Sequence, residues 1–406
     1  MEFICDNNLC TGCMACVNVC KHNAIQIIQD QEGFYRPYIN QEKCVNCGFC
    51  QKQCPVNSSV TTNQPIAVYS GWIKNEDIRK QSSSGGAFTA ISIPILKDKG
   101  IVFGACLNQD LIVEHVFIEN ENELPVLQGS KYVQSDIKTT YQQTEYFLQQ
   151  SKKVLFSGTP CQIAGLKNFL KKDYDNLITV DLICHGVPSP KIFEDWKSWF
   201  KEQNQLSDIN SIKFRSKEKS WIYFNMDIKG TSKSGKEFRY IGRYYKDAWI
   251  RGFLRDCFLR PSCHRCQYAK ITRCSDLTIA DWWGYKAGKK EAKDFESKGV
   301  SLILCNTSKG YEYFSNKCMK SMSLKKRTIE EAIKTNKSLQ EPFGESNLRT
   351  LFWRDYFTLP FYEIVKKYMY PEVVPLHIWL QIQMKPSLIR RILCSIFYRL
   401  HTVFKI

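Results

Sequence analysis

The sequence lacks the hallmarks of secreted, membrane-spanning and common nucleotide-binding proteins. Its first residues supply neither a basic segment nor an apolar run, so we expect no secretory signal. No uninterrupted apolar stretch reaches the ~18 residues that a transmembrane helix needs. Neither a G-x-G-x-x-G fingerprint nor a Walker loop is present, so nothing indicates ordinary NAD or ATP binding. We therefore expect a cytoplasmic protein.

Acidic side chains are scarce beside basic ones. The 406 residues include 40 Asp and Glu against 57 Lys and Arg, a formal net charge of +17. No recognition motif, zinc finger or compact basic block accompanies this charge, so we do not expect nucleic acid as a partner. Acidic partners fit better, such as phosphorylated or polyglutamylated coenzymes, acidic ferredoxins or an anionic membrane face. The 43% of hydrophobic residues excludes a disordered chain, and the length favours two or three domains.

Cysteine, by contrast, is abundant, with 19 residues. In a long chain without a secretory signal this number indicates metal or redox chemistry rather than a disulfide framework. Residues 10–20 contain the pattern C-x2-C-x2-C-x3-C, and residues 44–54 repeat it 34 positions later. In two-cluster bacterial ferredoxins, three close cysteines of such a run bind one 4Fe-4S cluster and the fourth reaches the other cluster.

The duplication predicts a ferredoxin module with two 4Fe-4S clusters over residues 1–57. One cluster would be bound by Cys10, Cys13, Cys16 and Cys54, and the other by Cys44, Cys47, Cys50 and Cys20. Zinc is the alternative, but zinc sites usually use two separated C-x2-C pairs rather than runs of four. Lys21 stands where such ferredoxins usually have proline, which removes no ligand. Cys5 lies outside the pattern, and we expect it to be an unliganded thiol.

After a polar linker from Asn57 to Pro65, β-branched runs alternate with amphipathic stretches. The predicted strands cover residues 67–71, 100–104, 153–156 and 178–183, and the predicted helices cover residues 87–97, 161–170 and 190–200. Their alternation predicts an α/β domain over residues 66–345. The predicted fold class is therefore an α+β ferredoxin-like module, a larger α/β domain and a helical C-terminal region over residues 346–406.

A second group of cysteines predicts a third metal site in the α/β domain. Cys263, Cys266 and Cys274 form a C-x2-C-x7-C pattern, which leaves a fourth ligand to be found. Cys161 and Cys184 each follow a predicted strand, and the ends of parallel strands meet at the functional edge of a sheet. We expect Cys184 to complete a third 4Fe-4S cluster. Cys161 is the alternative ligand, and zinc is the alternative metal.

Seven short motifs follow one another along the body of the chain. They are Ser84-Gly85-Gly86, Gly129 to Gln134, Gly158 to Gln162, Cys184-His185-Gly186, Lys213 to Arg215, Cys263 to Cys274 and Ala280 to Gly284. Together they resemble the coenzyme F-420 hydrogenase/dehydrogenase beta-subunit family. The resemblance implies a bound FAD next to a 4Fe-4S cluster, and bacterial relatives occur beside polysaccharide-biosynthesis proteins. Flavin also fits chemically, because clusters pass single electrons whereas most organic reductions move two.

The resemblance also implies roles for individual residues. Two loops at predicted helix N-termini, where the helix dipole favours a phosphate, would bind the flavin through Ser84, Gly85, Gly86, Thr159, Pro160 and Gln162. The candidate catalytic residues are His185 as a proton donor, Lys131 as a contact to flavin or substrate, and Asp281 as a wall of the site. Lys213 and Arg215 would pair with an acidic substrate. The alternatives are ordinary helix caps, a structural histidine and a solvated basic strand.

Residues 386–406 combine a helical stripe of apolar residues with four basic residues and no acidic one. This pattern is typical of a basic amphipathic helix on a membrane and also of a helix docked on protein. We expect docking on the chain's own core or on a partner subunit. Peripheral contact with the inner membrane face is the alternative.

The sequence thus predicts an oxidoreductase that depends on FAD and iron–sulfur clusters. It would exchange electrons between its ferredoxin module and a small-molecule or deazaflavin-like redox substrate. One alternative is an electron-transfer subunit that serves a separate enzyme or a ferredoxin. The other is a metal-binding scaffold in which the clusters are structural.

Overall fold

The chain folds into a small cysteine-rich module, a large α/β body and a terminal group of helices. The computed structural model describes residues 3–283 and 298–370. This arrangement confirms the predicted fold class. Gly284 of the last motif and the amphipathic tail at residues 386–406 lie outside the described residues. Within those ranges, no helix combines the length and the apolar character needed to cross a membrane.

The strands belong to a two-stranded, a three-stranded and an eight-stranded sheet. In chain order they are β1 (Ile25–Gln29), β2 (Tyr35–Ile39), β3 (Ala67–Ile73), β4 (Ile101–Leu107), β5 (Val113–Ile118), β6 (Val154–Gly158), β7 (Leu177–Leu182), β8 (Leu206–Ser216), β9 (Asn225–Ser232), β10 (Glu237–Arg243), β11 (Leu277–Asp281), β12 (Ser301–Cys305) and β13 (Met322–Arg327).

The α-helices of the described residues are mostly short. In chain order they are α1 (Ala15–Val19), α2 (Phe49–Lys52), α3 (Glu76–Gln81), α4 (Ala87–Lys97), α5 (Leu124–Leu127), α6 (Thr140–Gln149), α7 (Pro160–Leu170), α8 (Pro190–Gln203), α9 (Ala248–Leu254), α10 (Ser308–Tyr313), α11 (Ile329–Ile333), α12 (Asn347–Tyr356) and α13 (Phe361–Ile364).

The eight-stranded sheet has a parallel centre. Its order is β13-β3-β12-β11-β7-β6-β4-β5, and β4, β6, β7 and β11 run parallel to their neighbours in this series. Both faces are covered, because Val102 packs in one apolar core with α4 while Phe103 packs in another with α6 and α7. The carboxyl ends of the parallel strands therefore form one edge, where ligand sites of such sheets lie.

Local sequence fixes how the helices begin at that edge. Thr159 and Gln162 form a capping box at the start of α7, and Pro160 occupies its first turn. Ser189 caps α8 through its side chain, and Pro190 again follows the cap. Proline suits these positions because the first N–H groups of a helix have no partner within it.

The cysteine-rich module is packed firmly on the body. Phe34 of the module is fully buried in an apolar core made by the body, and Met14 and Ala15 lie in the core beneath α7. The hydroxyl of Ser189 donates to the carbonyl of Glu32 at 2.5 Å. The predicted boundaries between the domains stay a prediction, since apolar cores are shared across them.

Candidate metal centres and the adjoining pocket

Four cysteines of the module line a single cavity. We call Cys10, Cys13, Cys16 and Cys54 the inner cysteine site; all four line one cavity. Left-handed backbone at Gly12 (φ 68°) and Met14 (φ 59°) folds the loop that carries the first three. In a 4Fe-4S cluster each thiolate binds a different iron atom, so its ligands surround a cavity. The inner site has this form.

The other four cysteines form a second group, the outer cysteine site, which consists of Cys20, Cys44, Cys47 and Cys50. Burial raises the pKa of Cys50, and the nearby thiols of Cys20 and Cys44 raise it further. Cys47 is exposed to solvent. Cys54 therefore lies with Cys10, Cys13 and Cys16, and Cys20 lies near Cys44 and Cys50. The crossed ligation that the ferredoxin spacing indicates stays a prediction.

An additional thiol reaches the inner site. Cys5 lines the same cavity, and its side chain hydrogen-bonds to Cys10 and Cys54. The bond from Cys5 holds the pKa of Cys10 well below its usual range; burial opposes this, and the charges of Arg260 and Arg36 support it. The spacing of the sequence gave no sign of this contact.

Four cysteines from three remote segments converge in the body. We call Cys161, Cys184, Cys263 and Cys266 the third cysteine site. Burial raises the pKa of Cys184 well above its ordinary value, and the neighbouring Cys263, Cys161 and Cys266 add to that rise. Burial likewise raises the pKa of Cys263 to about 12, again with Cys266 and Cys161 beside it.

Cys274, the last cysteine of the predicted C-x2-C-x7-C group, has other surroundings. Its thiol lies 3.5 Å from the carbonyl oxygen of Pro160. After burial, the groups that act on its pKa are Asp181, Arg273 and Lys167 rather than another cysteine. The structure therefore brings Cys161 as well as Cys184 toward Cys263 and Cys266, and it places Cys274 beside the backbone that precedes Cys161.

The three sites follow one another from the surface inward. Cys50 of the outer site is among the neighbours of Cys16 in the inner site. Cys161 of the third site is among the neighbours of Cys13. Gly165 of α7 makes the second approach possible, because a Cβ atom there would stand 3.0 Å from the sulfur of Cys13.

The thiols of the inner site line a cavity. Within residues 3–283 and 298–370, no three Cys, His, Asp or Glu side chains come together as ligands of a single metal ion. The inner cavity fits the cluster that the ferredoxin spacing predicts.

The three predicted catalytic residues all have protein partners. His185 Nε2 lies 2.6 Å from Asp256 Oδ1, so this imidazole is oriented by a carboxylate. Lys131 donates to three carbonyls at the end of α5, including that of Gln128 at 2.9 Å, and burial lowers its pKa to about 7. Asp281 pairs with Arg215 at the end of β11. Their catalytic roles stay predictions.

The two predicted flavin loops are also tied to the protein. The Ser84 hydroxyl donates to the carbonyl of Val300 at 2.8 Å, and the Gly85 amide donates to the Ser301 hydroxyl at 3.0 Å. Gly86 takes a left-handed conformation (φ 88°) at the cap of α4.

In the second loop, the Thr159 amide donates to Gln162 Oε1 at 2.9 Å, and Pro160 begins α7. Gln162 in turn donates to the hydroxyl of Ser135, which contacts Nδ1 of the buried His115 at 2.8 Å. This network fixes the first turn of α7, which carries Cys161.

A buried cluster of packed polar and aromatic side chains adjoins the Ser84 loop, where Gly299 lies beside both Trp221 and Ser84. We use the name Arg215 pocket for this cluster, which consists of Tyr132, Arg215, Trp221, Asp281 and Trp283. The Arg215 guanidinium lies between the rings of Phe224 and Trp283 and pairs with Asp281, whose other oxygen accepts from the Trp221 indole at 2.8 Å. The Tyr132 side chain also hydrogen-bonds to this guanidinium, whose Nε and one Nη are fully buried. Lys213, by contrast, is exposed.

Aromatic rings connect the third cysteine site to this pocket. The ring of His185, next to Cys184 in the chain, packs edge-on against Phe253 at 4.9 Å. Phe253 stacks on Tyr132 at 4.6 Å. Lys217, which no motif singled out beforehand, holds the Ser84 loop by donating to the Ser84 carbonyl at 2.7 Å. The pocket and the cysteine sites thus form one contiguous region.

Comparison with known proteins decides the family. Residues 68–140 match the model for the N-terminal part of the coenzyme F-420 hydrogenase/dehydrogenase beta subunit, and residues 151–332 match the model for its C-terminal part. The chain belongs to the coenzyme F-420 hydrogenase/dehydrogenase beta-subunit family. In this family member, residues 9–58 also match a 4Fe-4S dicluster domain. The protein is therefore of an oxidoreductase family and carries an iron–sulfur domain.

Individual relatives are similar to different parts of this chain. An uncharacterized ferredoxin of Methanocaldococcus jannaschii is 38% identical over 58 residues, which are 14% of this chain and 74% of the relative. An uncharacterized protein of the same organism is 27% identical over 206 residues, 43% of this chain and 57% of the relative. This chain thus spans little more than half of that second relative.

One solved structure is similar in sequence and shape at a low level. It is a chain of the F-420-reducing NiFe hydrogenase complex from Methanosarcina barkeri. The identity is 16% and the TM-score is 0.43, and the match covers 68% of this chain and 91% of the other.

Proposed function

We propose that this protein relays electrons through three 4Fe-4S clusters between a partner at the outer cysteine site and a small molecule bound at the Arg215 pocket. The observation that carries this proposal is that the three sites are adjacent in space. Cys50 of the outer site neighbours Cys16 of the inner site, and Cys13 of the inner site neighbours Cys161 of the third site. Clusters at these sites would supply one-electron transfer. The protein's own contribution is to hold the thiolates in a row and to exclude water from the inner and third sites.

For the third cluster we propose the ligands Cys161, Cys184, Cys263 and Cys266. The mutual effects of these thiols on their pKa values support this set, as does the position of Cys161 on the first turn of α7. Cys274, which the sequence pattern favoured, donates to a carbonyl instead. Both isolated cysteines would then act as ligands, rather than Cys184 or Cys161 alone.

A bound FAD at the Arg215 pocket is the second part of the proposal, since it would convert electron pairs of an organic substrate into single electrons. The fit is partial. The buried Nε and Nη of Arg215 can bind an anionic group, and Tyr132 and Trp283 offer rings beside it. The donors of the Ser84 and Thr159 loops, however, are already occupied within the protein. Arg215 is therefore the stronger candidate contact.

The substrate that we propose is anionic and redox-active, with a deazaflavin such as coenzyme F-420 as the first candidate. Family membership and the buried cationic edge of Arg215 support this choice. Lys131 would act by shaping the chain after α5 rather than by touching the substrate, because its ammonium group is surrounded by carbonyls. Service in polysaccharide biosynthesis stays a prediction.

For the partner we propose an acidic redox protein, either a ferredoxin or an enzyme subunit. The surface around the exposed Cys47 carries the large apolar side chains of Phe3, Val45 and Phe49, which are 64%, 59% and 46% exposed. Exposed lysines, including Lys43 and Lys52, stand among them. Exposed apolar side chains with charged residues at their margin favour oriented docking.

The test is anaerobic purification followed by measurement of iron, acid-labile sulfide and flavin per chain. The proposal expects about twelve iron atoms and one flavin. It also expects a deazaflavin or a comparable hydride donor to bleach the flavin in the isolated protein. Iron without flavin, and reduction only after a second enzyme is added, would favour the electron-transfer subunit. Zinc in place of iron, or clusters that dithionite cannot reduce, would favour a structural scaffold.

A further inference from the structure

Arg260 joins the inner cysteine site to the third. Its side chain is completely buried. Nε donates to the carbonyl oxygen of Cys10 at 2.8 Å, and one Nη lies 3.6 Å from the sulfur of Cys10. The other Nη donates to the carbonyl of Tyr35 at 3.1 Å. The backbone of Arg260 contacts the third cysteine site, because its carbonyl accepts a hydrogen bond from the amide of Cys263 at 2.9 Å.

This guanidinium has no carboxylate of its own. None of the ion pairs that form among the described residues includes Arg260, and Asp30 is already paired with Arg36. A buried charge is costly unless an opposite charge compensates it. The nearest group able to do so is the thiolate of Cys10, whose sulfur lies 3.6 Å from one Nη. Cys263 follows three residues later in the chain and is tied to the Arg260 backbone.

The module is shaped to admit the guanidinium. Gly12 has a left-handed backbone (φ 68°), and a Cβ atom there would stand 2.8 Å from Nη1 of Arg260. Any larger residue would push the guanidinium away from Cys10. Glycine at position 12 therefore leaves room for the Arg260 guanidinium in the loop that carries Cys10 and Cys13.

We propose that Arg260 is a positioning residue that raises the reduction potentials of the inner and third clusters above that of the outer cluster. The inference rests on the proposed function, since it requires clusters at these sites. Reduction adds negative charge to a cluster, and a buried cation with an N–H group aimed at a ligand sulfur stabilises the reduced form. Electrons from the outer site would thus be drawn inward.

The test compares Arg260→Met and Arg260→Lys with Arg349→Met in anaerobic redox titrations of the full holoprotein, followed by EPR. Arg349 is a matched control: it is buried, pairs with Glu32 of the module and donates to the Leu259 carbonyl at 3.0 Å, yet its hydrogen bonds reach no cysteine. The outer cluster serves as an internal reference in every variant.

At the wild-type midpoint of the inner cluster, Arg260→Met should lower the ratio of reduced to oxidised cluster about tenfold, or about 59 mV for a one-electron couple. Arg260→Lys keeps the charge and should shift it less, and Arg349→Met should not shift it. Unchanged midpoints in Arg260→Met at normal iron content, or an equal shift in Arg349→Met, would overturn the inference. If Arg260→Met loses iron, the uncharged but polar Arg260→Gln is titrated in its place: an unshifted midpoint overturns the inference. Wild-type protein without iron and sulfide defeats the proposed function instead.

Discussion

The module and the body build their cysteine sites in opposite ways. In the module, three ligands of each site lie within seven residues of one another, and a short helix carries each run on to a fourth cysteine that belongs to the other site. In the body, the third cysteine site draws Cys161 from α7, Cys184 from the end of β7 and two cysteines from a loop. The spacing of cysteines along the chain therefore predicts the sites of the module, whereas the site of the body depends on the folded sheet.

The difference shows what spacing leaves open. The pattern C-x2-C-x7-C predicts that Cys274 belongs with Cys263 and Cys266, and this stays a prediction. The chain before Cys274 reaches the sheet, where Arg273 pairs with Asp181 and donates to the carbonyl of Leu182 at 2.9 Å. The position of Cys274 is therefore set by the sheet as well as by its spacing from Cys266.

A pair of serine variants gives the largest expected effect and tests which cysteines bind the third cluster. Cys161→Ser should lose about four of the roughly twelve iron atoms per chain, because it removes a ligand of the third cluster. Cys274→Ser should keep them. Iron analysis with EPR on anaerobic protein measures both. Loss of iron from Cys274→Ser with a normal content in Cys161→Ser would restore the ligand set read from spacing.

Substitution of the fourth cysteine of each run tests the inner and outer cysteine sites. Cys20→Ser should disturb the outer cluster and leave the inner one, whereas Cys54→Ser should do the reverse, because each fourth cysteine lies with the opposite run. EPR spectra of the two variants should therefore lose different signals. Identical losses, or loss of the cluster belonging to the variant's own run, would contradict the crossed arrangement.

A substitution at the contact between module and body should have a moderate effect. In Gly165→Ala the new Cβ atom would stand 3.0 Å from Cys13 and from the Tyr141 hydroxyl, so α7 must move. We expect a loss of about 1–3 kcal/mol in the free energy of unfolding. Denaturant unfolding measures it, and Gly344→Ala, where no atom lies within 4 Å of the added Cβ, is the control. Equal stability of the two variants would contradict close packing here.

The smallest effect concerns pH. Burial lowers the pKa of His115 to about 4, while the unfolded chain has its ordinary value of 6.5. The unfolded state therefore binds the proton first, and stability should fall by about 2 kcal/mol between pH 7 and pH 5. His115→Gln should lack this loss, whereas the same change at the exposed His22 should retain it. Matching pH profiles for wild type and His115→Gln would refute this explanation.

Much of the fold was predictable because its signals are local. The strand predicted at residues 178–183 lies at Leu177–Leu182, and the helix predicted at residues 161–170 begins one residue earlier at Pro160. The antiparallel strands β12 and β13 and the three-stranded sheet of β8, β9 and β10 were not predicted. β12 and β13 both pair with β3, which is remote in sequence, so periodicity alone does not reveal their place in the sheet.

The candidate site was predictable only in part. The end-of-strand position of Cys161 and Cys184 indicated a site at the sheet edge, because strand order places such residues together. Lys131 resembled a substrate contact in sequence, yet it closes the end of a helix. No sequence pattern indicated Arg260, since its proposed role depends on its contact with Cys10, which lies 250 residues away in the chain.

The central claim is that three clusters stand in one line from the surface to the Arg215 pocket. EPR of the fully reduced, anaerobically purified protein tests it most directly. The account predicts about three spins per chain with splitting from magnetic coupling between neighbouring clusters, and a loss of about one spin in Cys161→Ser. Two uncoupled spins in the wild type, unchanged by Cys161→Ser, would contradict it.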